Sequence, residues 1–80
     1  TLFRSITFYP NPTTTHVNIE SEYPIVNIVI RDAAGRLFES KPYKQLGVLT
    51  GIAELPDATG MYFIEIESSV GIHTIHVLKH

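Results

Sequence analysis

Cysteine and tryptophan are both missing from the 80 residues. Without cysteine there is no disulfide framework and no zinc–thiolate site, so a chain this short must rely on its own core. Basic charge is scarce: six Lys and Arg stand against eight Asp and Glu, for a formal net charge of −2. A nucleic-acid surface needs a Lys/Arg patch to displace counterions, and none is present, so no nucleic-acid partner is expected. No apolar run approaches the roughly 20 residues that span a bilayer, and membrane insertion is not expected. Thr1 to Thr7 shows no basic stretch leading into a long apolar one, so no signal peptide is read there. Helix-forming residues never gather over three turns.

What remains is strand material. Hydrophobic residues make up 44% of the chain, with four Phe, four Tyr and much Val, Ile and Thr. Branching at Cβ restricts χ1 and suits a pleated surface. Turn signals recur about every 8–12 residues, the spacing of a sandwich or barrel. A first strand is expected near Ile6–Tyr9, stopped by Pro10 and Pro12, which lack the N–H that a ladder needs. Further strands are expected at His16–Ser21, Ile25–Asp32, Leu37–Lys41 and Val48–Ala53, then at Met61–Ser68 and Ile72–Leu78. Alternation places Val17, Ile19, Val26, Ile28, Ile30, Tyr62, Ile64, Ile66, Ile75 and Val77 in the core. Asp32-Ala33-Ala34-Gly35 reads as a tight turn. Gly35 and Gly60, at the ends of turns, are expected at positive φ. Seven short strands and no helix predict an all-β fold, a seven-stranded antiparallel immunoglobulin-like β-sandwich. The Cys…Trp…Cys signature of true immunoglobulin domains is absent.

Catalytic chemistry finds no purchase. His73 and His76 are three apart, which on a strand puts them on opposite faces, and His16 and His80 approach only through folding. No metal site and no cofactor are expected. Glu65 and Glu67 share a strand face but lie among polar residues that read as a solvated exterior. The serines and threonines have no His–Asp pair nearby, and Gly47, Gly51 and Gly60 are too dispersed for a phosphate cradle. No enzyme is expected.

Three motifs in fixed order carry the functional signal. They are Tyr9-Pro10-Asn11-Pro12, then Asp32-Ala33-Ala34-Gly35-Arg36, then Gly60-Met61-Tyr62 before a final strand that reaches Lys79. As an ordered set over about Phe8 to Lys79 they resemble the type A C-terminal sorting domain of the type IX secretion system, found on exported proteins of Bacteroidetes. The turn from Leu55 to Gly60 is longer here than is usual in that family.

The resemblance implies a non-catalytic address label at the end of a larger parent protein. Residues 8–80 would form the sorting domain, and residues 1–7 would border the linker to the parent. The implied partners are the type IX outer-membrane translocon, its shuttle protein and a sortase. Transit would run through the periplasm, ending at the cell surface or outside the cell. In many family members the sortase removes the domain and the parent is attached to anionic lipopolysaccharide. Two other readings stand beside this one. One is an immunoglobulin-like structural or adhesion module. The other is a carbohydrate-binding sandwich using Tyr23, Phe38 and Tyr43. A terminal strand at a sheet edge also offers unpaired backbone groups, to a partner strand or to a second copy in an edge-strand homodimer.

Overall fold

A computed structural model describes residues 6–42 and 47–80. It contains seven strands: β1 (Thr7–Tyr9), β2 (His16–Glu20), β3 (Ile25–Asp32), β4 (Leu37–Pro42), β5 (Thr50–Glu54), β6 (Gly60–Ser68) and β7 (Gly71–Lys79). They form two antiparallel sheets, one ordered β1-β2-β5 and the other β4-β3-β6-β7. All-β architecture in two facing sheets is what the composition and turn spacing predict. Residues 1–5, within the expected linker, and residues 43–46, with Tyr43, lie outside the described residues.

The sheets face each other through their apolar stripes. Val17, Ile19 and Ala53 come from the three-stranded sheet, and Ile25, Ile28, Ile30, Tyr62, Ile64, Ile66, Ile75 and Val77 from the four-stranded one. Strict period-two alternation in β6 produces this: Tyr62, Ile64 and Ile66 are buried while Met61 is exposed. Cross-strand register stacks Ile28 beside Ile66, and Ile30 beside Ile64 and its β7 partner Ile75. Isoleucine dominates these two layers, and its branched side chain is stiff and carries no polar atom to satisfy.

One expected core residue is not there. Val26 is 44% exposed, and its neighbour Ile25 is buried instead. The β3–β6 register shifts between Ile25 and Asn27, so the alternation counted back from Ile28 breaks at that step. The amide of Ile25 leaves the ladder and donates to the carbonyl of Val48. A bulge inserts one residue and inverts which side chain faces in.

Gly35 and Gly60 have φ of +86° and +139°, as their turn positions predict. A side chain at either would be strained even though nothing crowds the space a Cβ would occupy. These two residues end the turn after β3 and begin β6, on the same end of the four-stranded sheet.

Ile64→Ala should cost about 2–5 kcal/mol, the range for emptying a buried aliphatic site. Val26→Ala, on the exposed side of the bulge, should stay within about 0.5 kcal/mol. Urea denaturation of both variants checks the pair, and equal losses would contradict the β3 register.

Candidate functional site

The three motifs are far apart in sequence and meet along one rim of the four-stranded sheet. Asp32 ends β3 and pairs with Tyr62, while Gly60 begins β6 and pairs with Lys79. The rim therefore carries the β3–β4 turn, the 56–59 loop and the end of β7 in that order. The Tyr9-Pro10-Asn11-Pro12 segment completes it from the other sheet, by docking on the outer edge of β7.

That docking is specified by residue chemistry. Pro10 and Pro12, each preceded by a cis peptide bond, have no N–H. The segment therefore offers few backbone donors. Asn11 supplies both kinds of group from its side chain. Its Oδ1 accepts from the Leu78 amide at 3.1 Å, and its Nδ2 donates to the His76 carbonyl at 3.3 Å. A carboxamide presents a donor and an acceptor side by side as a peptide group does, so it can stand in for a neighbouring strand. Thr13 then pairs through its backbone, forming a parallel bridge to Lys79. Its amide donates to Leu78 O and its carbonyl accepts from His80 N–H, each at 2.9 Å. The Thr13 hydroxyl donates to the carbonyl of His16, and the residue is buried.

The β3–β4 turn is self-contained. Asp32 Oδ1 accepts from the amides of Ala34 and Arg36, and Oδ2 accepts from Arg36 Nε at 2.8 Å. The Arg36 backbone amide, and then the Arg36 side chain, hold the Asp32 carboxyl below its ordinary value, although partial desolvation pulls the other way. Asp is needed as the acceptor and Gly35 for its positive φ. Arg36 clasps the carboxylate through Nε while its side chain stays 82% exposed. Behind it, Arg31 bonds the Gly35 carbonyl and Glu65, each at 3.3 Å.

The 56–59 loop is held from inside. Tyr62 is buried, and its hydroxyl donates to the Ala58 carbonyl at 2.6 Å. Lys79 is only 8% exposed, and its ammonium donates to the Asp57 carbonyl at 2.8 Å. Lys79 thus works as an internal strut and is not displayed as a charge. A shallow cleft of about 320 Å³ lies between this loop and the β3–β4 turn, lined by Asp32, Arg36, Leu37, Phe38, Pro56, Ala58 and Tyr62.

Asn11, Asp32, Gly35, Arg36, Gly60, Tyr62 and Lys79 are therefore brought to one rim, with Pro10 and Pro12 flanking Asn11. Tyr9 stands apart. It lies on the outer face of the three-stranded sheet, where its hydroxyl donates to Glu20 at 2.7 Å. That bond, and then the Glu20 charge, push the phenol above its usual value. The motif reading missed Thr13, Asp57 and Ala58, which take part through backbone groups. Only the β-branched residue after Pro12 hints at the first, and carbonyl acceptors leave no sequence trace.

The residues considered for chemistry lie elsewhere. His76 packs edge-on against Phe63 on the outer face, with ring centroids 4.8 Å apart, while His73 belongs to the opposite face of β7. Glu65 pairs with Arg31. Tyr23 and Phe38 sit near opposite ends of β3, too far apart for one sugar platform.

A family model described as the secretion system C-terminal sorting domain matches residues 7–79. Searches of curated proteins and of solved structures return no match.

Asn11→Asp should destabilise the domain by about 1 kcal/mol, the scale of one hydrogen bond. It replaces the donor facing the His76 carbonyl with a second acceptor. Thermal melts at neutral pH check this, and an unchanged midpoint would mean the segment does not hold the β7 edge in solution.

Proposed function

The chain belongs to the secretion system C-terminal sorting domain family, and from that premise we propose that the rim carrying the three motifs is the surface its export machinery reads. Members of this family are non-catalytic domains that direct export through the Por, or type IX, system across the outer membrane. The single observation behind the proposal is convergence: residues 10–12, 32–36 and 60–62 and Lys79 meet at one rim of the four-stranded sheet.

The rim residues divide by exposure into two roles. Tyr62, Lys79 and Thr13 are buried and hold the rim in shape. Pro10, Asn11, Pro12, Gly35 and Arg36 are exposed and available for contact. Among the motif residues, Arg36 displays a fixed cation, clasped to Asp32 but open to solvent on its other side. A planar fork of donors suits a carboxylate or carbonyl on a partner, and a charge at an interface rim steers approach and orientation. In this reading the outer-membrane translocon or its shuttle protein meets the folded rim in the periplasm. A sortase acts afterwards on the segment joining residues 1–7 to the parent, leaving the parent at the cell surface or free outside.

Export of a periplasmic reporter fused ahead of residues 1–80 in a type IX-competent cell tests the proposal. Arg36→Ala should sharply lower export while leaving the melting temperature unchanged, because that side chain is mostly in solvent. Deleting Ile75–His80 should abolish export, since it removes half of β7 and the seat of Asn11 and Thr13. Normal export of both variants would place the signal away from this rim.

A further inference from the structure

Among the described residues, backbone partners seal the outer edge of β7 only over its second half. Leu78 and His80 turn their backbone amides away from β6, toward Asn11 and Thr13, and His76 turns its carbonyl the same way. In an antiparallel strand alternate residues share this orientation, so Ile72 and Thr74 also direct N–H and C=O outward. Among the described residues neither pair of groups has a partner beyond the sheet. The other edges are blunted. β4 is bulged opposite Ile30 and Arg31, carries Glu39 and ends at Pro42. β1 has three residues and runs into Pro10, and β5 ends on Glu54. Charges, prolines and bulges are the usual protection of an edge, and Gly71 to Ile75 has none of them.

We propose that this stretch is a self-association surface, on which β7 pairs antiparallel with β7 of a second copy about a two-fold axis through His73. The register follows from the exposed groups. Ile72 meets Thr74 of the second copy and exchanges both backbone bonds with it, and Thr74 does the same with the second Ile72. His73 faces its own equivalent in a pair without backbone bonds.

The length of the open stretch suits a second copy. The ladder is bounded at one end by the turn at Ser69 and Val70, and at the other by Asn11 on the His76 carbonyl, so the two-fold brings each copy's turn to the other's Asn11. No Asp, Glu, Lys or Arg lies between Gly71 and Ile75, so identical strands meet without like charges opposed. On the outer face Ile72 is 62% exposed, the most open of the large apolar side chains among the described residues, and pairing would cover it against Thr74 of the other copy. This surface meets the proposed recognition rim at Asn11, and the rest of the rim lies beyond it at the far end of β7.

The absence of native cysteine makes a direct test available. Under mild oxidation of the 80-residue chain, His73→Cys should give a disulfide-linked dimer, because residues in a pair without backbone bonds approach within disulfide reach. Ile72→Cys, displaced from its own equivalent by the register, should cross-link far more slowly. Adding Thr74→Pro to His73→Cys should suppress the cross-link without unfolding the chain, since the Thr74 amide faces away from β6. In the wild-type chain, amide resonances of Ile72 and Thr74 should shift with protein concentration. Equal cross-linking at positions 72 and 73, indifference to Thr74→Pro, or concentration-independent resonances up to the millimolar range would each overturn the proposal.

Discussion

The segment between β1 and β2 leaves its own sheet at the rim and latches onto the edge strand of the other. After β1 the backbone leaves the three-stranded sheet, passes through Pro10, Asn11 and Pro12, and lays Thr13 parallel to Lys79 on the edge of the other sheet. Three consequences depend on that contact. The end of β7 acquires partners for amides and carbonyls that would otherwise face solvent. Lys79 is fixed where its ammonium reaches the Asp57 carbonyl, which positions the 56–59 loop from one side while Tyr62 positions it from the other. The strands from both ends of the described chain are also tied together, which matters in a domain whose core is small.

The motif residues fall into a division of labour. The polar groups most costly to bury in a short chain, a lysine ammonium and a tyrosine hydroxyl, are each bonded to a backbone carbonyl of the same loop. Groups on the exterior are held too: Asp32 locally, with Gly35 and Arg36, and Asn11 at long range, with β7. If the rim is what the export machinery reads, as proposed, its parts come from three separate stretches of sequence.

The regular strands were legible because their period is strict. In β6 and the later part of β3 each buried isoleucine follows two residues after the last, and those elements stand where alternation puts them, within about two residues at the ends. Val26 was misplaced because a bulge changes the face without changing composition. Gly35 and Gly60 were readable from turn chemistry, which is local. The burial of Lys79 was not, since a lysine at the end of a strand ordinarily lies in solvent and its carbonyl partner has no signature. The pairing of Thr13 with Lys79 was equally hidden: it joins positions near opposite ends of the chain, and no local preference announces a contact of that range. Sequence thus pointed to residues that gather at the rim, Tyr9 excepted, while the contacts that bring them together lay in tertiary structure.

Native-state amide hydrogen exchange on the full chain tests that latch most directly. The Thr13, Leu78 and His80 amides, each bonded across the junction, should exchange more slowly than those of Ile72 and Thr74 on the open part of the same edge under dilute conditions. If Thr13, Leu78 and His80 exchanged as fast as the open-edge amides, the N-terminal segment would not be latched to β7, and the rim would not exist in solution.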